Sequence, residues 1–337
     1  VFLTVSAVIS GCQAWDEIAD FGEAKLAWLR QYLPFENGTP SHDTINRVIS
    51  LIDYRSFEEC FISWTKMLLP LAQGSLISID GKTLRGSVDS YHNKAPIHLV
   101  NAWCNDVELA LGQYRTEAKS NEITAIPQLL DLLSIEGCII TIDAMGCQKN
   151  IAEKIIDSKG DYILALKTNQ SELFEEASSL FKFLPVTRQE QVKKDHGRIE
   201  TRDCQVISDL SWMPETPQWK GLKSIVKIQS NRELLATGQV STQTRYYISS
   251  LNRPPEFFME AIKGHWGIEN RLHWSMDVVF AEDLSRKRAD NAAQNFAIIR
   301  KIAQNLLKME PSQKVSLNRK MKRAAMQDEY RQRVLLI

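Results

Sequence analysis

Two aspartates at the ends of apolar runs are the residues with the clearest chemical meaning in this chain. Asp80 ends LISI in the segment LISIDGKTL, and Asp143 ends CIITI in CIITIDAMG. A buried carboxylate at the tip of a strand is costly unless an opposite charge compensates it. Divalent metal ions commonly supply that charge, since they prefer carboxylate oxygens. The pattern therefore indicates a metal site assembled from two distant segments.

A third carboxylate, Glu269, lies in the predicted helix HWGIENRLHW. His265 and His273 stand four residues before and after it, on the same helix face. For a lone helical Glu, an ion pair with Arg271 or a histidine would be the simpler explanation, but the two aspartates favour a metal ligand. A zinc site built from His265, Glu269 and His273 is the least favoured alternative, because the usual outer hydrogen-bonding partners of zinc ligands are not evident.

The elements around these residues predict a known order of strands and helices. Helical periodicity covers the first 70 residues or so, and strand signals begin at Leu76. A predicted hairpin, a helix, the Asp143 strand, a second helix and the strand DYILALK follow. This is the order of a ribonuclease H-like sheet, in which acidic residues on the first and fourth strands meet. We predict an α/β fold: a ribonuclease H-like mixed sheet flanked by helices, with a β-rich insertion and an N-terminal helical region.

The predicted organisation has three parts. They are an N-terminal helical region at 1–72, a catalytic domain at 73–310 with a β-rich insertion at about 185–251, and a basic C-terminal tail at 311–337. The missing initiator Met indicates a fragment or a start within a reading frame. Six cysteines without a CxxC pair favour reduced thiols in the cytosol, and no apolar run is long enough for a membrane span.

Net charge is zero, but its distribution along the chain is uneven. Residues 281–337 contain 13 Lys and Arg against 6 Asp and Glu, whereas residues 1–80 contain 5 against 10. A basic C-terminal part hints at a polyanionic partner. On charge alone, a solvated helix surface is the slightly favoured explanation.

Six collinear segments give a specific resemblance: LISIDGKTLRGS, TEAKSNEITAIPQLL, TIDAMGCQKNIAEKI, DYILALKTNQ, HGRIETR and HWGIENRLHWSMDVVFAED. From about Ala14 to Leu307 the chain resembles DDE insertion-sequence transposases, in the branch of the H-repeat-associated proteins. The resemblance implies that Asp80, Asp143 and Glu269 are the catalytic, metal-binding residues. It implies Mg²⁺ as cofactor, with Mn²⁺ able to substitute, and Asp80 bridging two ions.

The same resemblance implies the partners and the place of action. We expect the protein to bind DNA, both the terminal inverted repeats of a transposon and the target, as a homodimer or larger assembly. We expect a cytoplasmic protein without a membrane association, bound to the bacterial nucleoid. The candidate DNA contacts are Lys82, Arg85, Lys167, Asn169, Gln170, Lys194, Arg198, Arg202, His265, Arg271, Arg319, Lys320, Lys322 and Arg323. Ion pairs with nearby acids, polar turns and packing are the alternative explanations for these side chains.

One departure concerns the surroundings of Glu269. Related transposases carry a Tyr-x2-Arg-x3-Glu-x6-Lys signature, whose other three positions are here Ile262, His265 and Met276. Contacts to a terminal phosphate would then come from Arg271 or Lys263. Two alternatives stay open: a decayed or repurposed DNA-binding protein, and a metal-dependent nuclease that cannot join strands.

Overall fold

A nine-stranded mixed sheet forms the centre of the computed structural model, which describes residues 1–68, 71–89, 91, 95–117, 121–195 and 197–335. The strands are β1 (Leu76–Leu84), β2 (Ile97–Cys104), β3 (Leu109–Arg115), β4 (Ile139–Ile142), β5 (Asp161–Leu166), β6 (Thr187–Asp195), β7 (Arg198–Ile207), β8 (Ser224–Leu234) and β9 (Val240–Ser249). The helices of the first half are α1 (Phe2–Ile9), α2 (Trp15–Ala24), α3 (Leu26–Leu29), α4 (His42–Leu51), α5 (Tyr54–Leu68), α6 (Glu122–Leu132) and α7 (Lys149–Asp157). Those of the second half are α8 (Ser171–Phe183), α9 (Pro255–Gly267), α10 (Trp274–Val278), α11 (Ala292–Met309), α12 (Leu317–Met326) and α13 (Asp328–Val334).

The first five strands lie in the order β3-β2-β1-β4-β5. The β2 strand is antiparallel to β1 and β3, while β4 is parallel to β1 and β5. All four residues of β4 are buried, as a central parallel strand covered on both faces requires. Three antiparallel strands followed by two parallel ones is the ribonuclease H-like order, so the predicted fold class is confirmed.

The β-rich segment extends this sheet instead of forming a separate layer. The β9 strand pairs antiparallel with β5, and β8, β7 and β6 follow it outward. The sequence signals identified three of these strands but missed β6. Its sequence TRQEQVKKD contains Val192 as its single apolar residue, so no alternating pattern marks it as a strand.

Helices cover both faces of the first five strands. On one face α6, α7 and α8 pack against apolar side chains such as Ile77 and Ile79. On the other face the N-terminal helices pack with α11, and Met321 of α12 and Tyr330 of α13 are buried in the same core. The segment predicted as a basic tail therefore contains two helices that belong to this core. None of the helices in the described ranges is long and apolar enough to cross a membrane.

The helix that carries Glu269 is interrupted by a wider turn. The sequence predicted one helix here, but α9 passes into a π-helical segment, Ile268–His273, before α10 begins. The end of α9 lies against the sheet, since a Cβ on Gly267 would be only 2.5 Å from Asn105 Oδ1. The absence of a side chain at Gly267 lets the helix approach the end of β2. Single π turns inside α-helices occur frequently at functional sites.

Candidate active site

Asp80 and Asp143 lie side by side on the two central parallel strands. The β1 and β4 strands pair with Ile79 opposite Ile142, and each aspartate is the next residue of its chain segment. Asp80 was predicted at the tip of a strand, but it lies in the middle of β1, because pairing with β2 continues the strand to Leu84. Asp143 begins the turn after β4, where its Oδ1 accepts hydrogen bonds from the backbone N–H of Met145 at 2.9 Å and of Gly146 at 3.4 Å. These bonds fix the carboxylate in its turn. Strand pairing thus brings together two residues that are far apart in the sequence.

Negative charge is concentrated around Asp80 and Asp143. Burial and, to a smaller extent, the neighbouring charges of Asp143, Glu122 and Glu269 together raise the pKa of Asp80 to about 7. Burial and the charge of Glu122 also raise the pKa of Asp143, although its backbone hydrogen bonds and Lys167 act in the opposite direction. Negative charge from several carboxylates therefore acts on Asp80, in the middle of β1, and on Asp143, directly after β4. Such a group favours a bound cation.

Two histidines attach the π-helical segment and the end of α9 to the strands. His265 Nδ1 lies 2.9 Å from Thr141 Oγ1 of β4, and His273 Nδ1 lies 3.7 Å from Asp80 Oδ2. Burial lowers the pKa of His265 to about 4 and that of His273 to about 3, so both rings are neutral at pH 7. Glu269, between them, is exposed on the π-helical segment. His265 was expected to contact DNA phosphate; a neutral ring bonded to Thr141 instead holds α9 on the sheet.

The sequence interpretation missed Glu122, the first residue of α6. Its Oε1 lies 2.7 Å from His98 Nε2, and its charge affects the pKa of both aspartates. For Asp80 the charge of Glu122 has a larger effect than that of Glu269. An acidic residue in the first turn of a helix has a common explanation in the helix dipole. The one available signal was its position inside the shared segment TEAKSNEITAIPQLL.

The residues present fit a divalent cation in their chemistry. Carboxylate oxygens are the ligands that Mg²⁺ and similar ions prefer, and the pKa of Asp80 is raised first by burial and then by the neighbouring carboxylates Asp143 and Glu122. In addition, Asn101 is only 1% exposed and its Oδ1 has no partner among the described residues. Within those residues no three His, Cys, Asp or Glu side chains are gathered closely enough to coordinate an ion as they stand. Ligands would therefore have to draw together on binding a cation.

A groove beside α9 collects several of the candidate DNA contacts. It has a volume of about 790 Å³ and runs between α9 with its π-helical continuation and the strands β7, β8 and β9. Arg198, Arg202 and Arg271 line it, together with Lys263, the alternative phosphate contact named from the sequence. Two further cations in its lining, Arg232 and Arg245, were not predicted from the sequence. Arg202 donates two hydrogen bonds to Glu200, and Arg271 pairs with Glu108. The guanidinium of Arg245 lies 4.6 Å from the ring centroid of Trp266.

Two of the selected lysines serve the interior of the protein. Lys82 is buried, with its Nζ 2.5 Å from Asp277 Oδ1 and 3.0 Å from Glu282 Oε2. Lys320 is also buried and donates to the carbonyls of Leu307 and Glu310 at the end of α11, where a cation is favourable. Phosphate contacts by these two ammonium groups were expected, but the structure corrects this, because neither faces solvent.

The other selected residues lie at the surface or brace the site. Asn169 donates to the Ala144 carbonyl at 2.8 Å and Gln170 to the Cys147 carbonyl at 2.9 Å, so both amides support the turn that follows Asp143. His196, in the same basic segment as Lys194, lies outside the described residues. Exposed or partly exposed cations are Arg85, Lys167, Lys194, Arg319, Lys322 and Arg323.

Comparisons with known proteins identify the class of protein to which this fold and this acidic site belong. Residues 72–306 match the family described as "Transposase DDE domain", and residues 1–65 match the family described as "DDE_Tnp_1-associated". The chain belongs to the DDE transposase family, so the resemblance found in its motifs is confirmed. Domains of this family generally use divalent metal ions and act on DNA.

Two relatives from Escherichia coli K12 match over 99% of this chain and 91% of their own length. They are "Putative protein YbfL", at 45% identity, and "H repeat-associated putative transposase YhhI", at 44% identity. A solved structure, a piggyBac transposase synaptic complex with hairpin DNA, is similar at 12% identity and a TM-score of 0.48. That similarity covers all of this chain and 72% of the other.

Proposed function

We propose that this DDE transposase hydrolyses phosphodiester bonds at transposon ends and transfers the freed 3′-hydroxyl to target DNA. The main support is the concentration of carboxylates where Asp80 of β1 lies beside Asp143 at the end of β4, since burial and neighbouring charges raise the pKa of Asp80 there. Asp80, Asp143 and Glu269 would hold Mg²⁺, with Mn²⁺ able to replace it. When bound, ions of this kind activate water and neutralise charge on the phosphate.

The two proposed steps break and form the same kind of bond. In the first, water attacks the phosphorus at the transposon end, and the P–O3′ bond breaks to leave a 3′-hydroxyl and a 5′-phosphate. In the second, that 3′-hydroxyl attacks a target phosphodiester, and the target strand's 3′-oxygen leaves. The protein contributes ligands and orientation: Asn169 and Gln170 brace the Asp143 turn, and His265 holds the helix of Glu269 to Thr141.

For the DNA path we propose the groove lined by Arg198, Arg202 and Arg271, which begins beside the π-helical segment of Glu269. We propose further phosphate contacts by other exposed or partly exposed cations: Arg85, Lys167, Lys194, Arg319, Lys322 and Arg323. Cations of this kind position the phosphate backbone without reading its sequence. We propose that the substrate comprises the terminal inverted repeats and the target, bound by a dimer or larger assembly on the bacterial nucleoid in the cytoplasm.

The test is Mg²⁺-dependent nicking of a duplex that carries a transposon end. Asp80→Asn should abolish nicking and leave DNA binding within about threefold of the wild type, because phosphate contacts dominate affinity. Asp209→Asn, an exposed aspartate in the loop after β7, is the matched control and should nick normally. Nicking by the Asp80→Asn variant at the wild-type rate would refute the assignment.

Strand joining needs its own assay, since a metal-dependent nuclease would also nick. Pre-cleaved ends with a free 3′-hydroxyl and a supercoiled target should give joined products in Mg²⁺. Cleavage without joining would indicate that the protein acts as a nuclease. DNA binding without either reaction would leave a repurposed binding protein.

A further inference from the structure

The strand β7 places a carboxylate among the cations of the groove beside α9. Arg198, Glu200 and Arg202 alternate along the segment HGRIETR, so all three project from the same face of the sheet. All three line the groove, while Ile199 and Thr201 project from the other face. An acid in a groove for DNA is unexpected on charge alone, because it repels phosphate. The presence of Glu200 therefore needs another explanation.

Strand register puts two further cations next to Glu200. Glu200 is paired with Lys193 on β6 and with Arg232 on β8, and directly paired residues of neighbouring strands project side by side. Together with Arg198 and Arg202, these are four cations around one carboxylate, with a net charge of +3. Glu200 thus reduces the repulsion among its neighbours, and the face that they share stays basic.

Glu200 also holds the Arg202 guanidinium in one orientation. Its Oε1 accepts hydrogen bonds from Arg202 Nε at 3.0 Å and from Arg202 Nη2 at 2.8 Å, so one edge of the planar guanidinium is occupied. The other edge keeps N–H groups in the fork geometry that suits two oxygens of a phosphate.

The Glu200 carboxylate is ionised although its side chain is only 18% exposed. Burial favours the protonated acid, but the hydrogen bond and charge of Arg202, and the charges of Arg232 and Arg198, outweigh burial and lower the pKa of Glu200. The ion pair between Glu200 and Arg202 is therefore present at neutral pH before any DNA is bound.

We propose that Glu200 is a positioning residue of a phosphate subsite in the groove, where it orients Arg202 to receive one phosphate of the DNA backbone. Arg198 and Arg232 supply the surplus positive charge of this subsite. The inference rests on the proposed DNA path, because it concerns the same groove. It gives a role to the acid of the HGRIETR segment, which direct electrostatics would count against DNA binding.

The test measures the affinity of the full chain for a fluorescent duplex by anisotropy in EDTA, so that neither cleavage nor a bound metal ion contributes. A random-sequence duplex of about 30 base pairs is sufficient, because backbone contacts do not depend on sequence. Glu200→Gln should weaken binding by about three- to tenfold, the cost of ordering one long side chain at the binding step. Direct repulsion predicts the opposite sign, since the substitution removes a negative charge.

Glu260→Gln is the matched control, because Glu260 lines the same groove from α9. Its side chain is 63% exposed and lies 3.7 Å from Lys263 Nζ, and such a surface ion pair restrains its partner only weakly. Removal of this charge should increase DNA affinity or leave it unchanged within about twofold. A loss of affinity as large as that of Glu200→Gln would overturn the inference, since the effect would then not be specific to the acid that holds Arg202.

A double-variant cycle separates positioning from a purely structural effect. If Glu200 acts through Arg202, Glu200→Gln should no longer weaken binding when Arg202 is already replaced by alanine. Arg202→Ala alone should reduce the slope of log affinity against log salt by about 0.9, as the loss of one phosphate contact requires. An equal loss from Glu200→Gln with and without the Arg202 side chain would contradict the proposed role.

The outcomes separate this inference from the DNA path on which it rests. If Arg202→Ala and Arg232→Ala weaken binding while Glu200→Gln tightens it or leaves it unchanged, the groove binds DNA and the role of Glu200 is refuted. If neither arginine substitution changes the affinity, the groove is not the DNA path and both proposals for it are wrong. Weaker binding by Glu200→Gln but not by Glu260→Gln, with the effect lost in the Arg202→Ala background, supports the inference.

Discussion

Replacing Asp80 by Asn should make the metal-free protein more stable at pH 8, although it removes an essential charge. Burial and the charges of Asp143, Glu122 and Glu269 raise the pKa of Asp80 from 3.8 to about 7. At about 1.4 kcal/mol for each tenfold change in proton affinity, that difference corresponds to roughly 4 kcal/mol. Allowing for solvent at this partly open edge, we expect the Asn variant to gain about 2–4 kcal/mol in free energy of unfolding.

The sign of the pH dependence follows from the raised pKa. Below the unfolded value of 3.8, Asp80 is protonated in both states and has no effect on stability. Between 3.8 and about 7 the folded protein retains the proton while the unfolded chain releases it, so stability falls as pH rises. Above this window the full penalty of the buried charge is present. The gain from Asp80→Asn should therefore be small at pH 5 and largest at pH 8.

Urea denaturation in EDTA at pH 5 and pH 8 measures this difference. Asp209→Asn is the control, because the pKa of Asp209 is shifted in the opposite direction: hydrogen bonds from the Ser211 hydroxyl and N–H lower it. Its substitution should not stabilise the protein at either pH. An Asp80→Asn variant that is no more stable than the wild type at pH 8, or that gains equally at both pH values, would contradict a destabilising buried charge at this position.

Substitutions of other side chains should lower the free energy of unfolding most where the side chain is buried and paired with another polar group. Lys82→Ala should lower the free energy of unfolding by about 3 kcal/mol, since it leaves the buried Glu282 without its ion-pair partner. The control is Lys182→Ala, at the solvent-facing end of α8, which should change the free energy of unfolding by less than about 0.5 kcal/mol. Thr141→Val should cost about 1–3 kcal/mol in urea denaturation, because the buried Nδ1 of His265 loses its partner; a loss below 0.5 kcal/mol would argue against that contact. Mg²⁺ at a hundredfold excess over Kd should add about 2.7 kcal/mol to the free energy of unfolding of the wild type. This should raise the thermal midpoint of the wild type and leave that of Asp80→Asn unchanged. An equal rise in both proteins would place the ion elsewhere.

Much of the fold was predictable because its signals are local. Buried strands such as β4 are short apolar runs bounded by turns, and α6 begins at an Asn cap whose side chain accepts from the N–H of Ile123. The order of such elements was enough to predict the ribonuclease H-like sheet. The β6 strand and the π-helical turn at Ile268–His273 were missed because their sequences carry no distinct pattern: one is almost entirely polar, and the other reads as continuous helix.

The role of individual polar side chains was not predictable in the same way. Lys82 and Lys194 look alike in the sequence, yet Lys82 is buried between Asp277 and Glu282 while Lys194 is exposed. Whether a cation meets solvent or an interior carboxylate depends on which helix covers its strand face. That is decided by packing between segments nearly two hundred residues apart.

The sequence by itself determined the family, the order of the strands and the choice of Asp80, Asp143 and Glu269 as candidates, since motifs and periodicity are properties of short segments. Only the tertiary structure brought Glu122 to the Gly81 backbone and turned His265 toward Thr141. Strand register and helix placement decide which distant side chains share a face. The electrostatic energy of this site depends on those distances, which local sequence patterns do not encode.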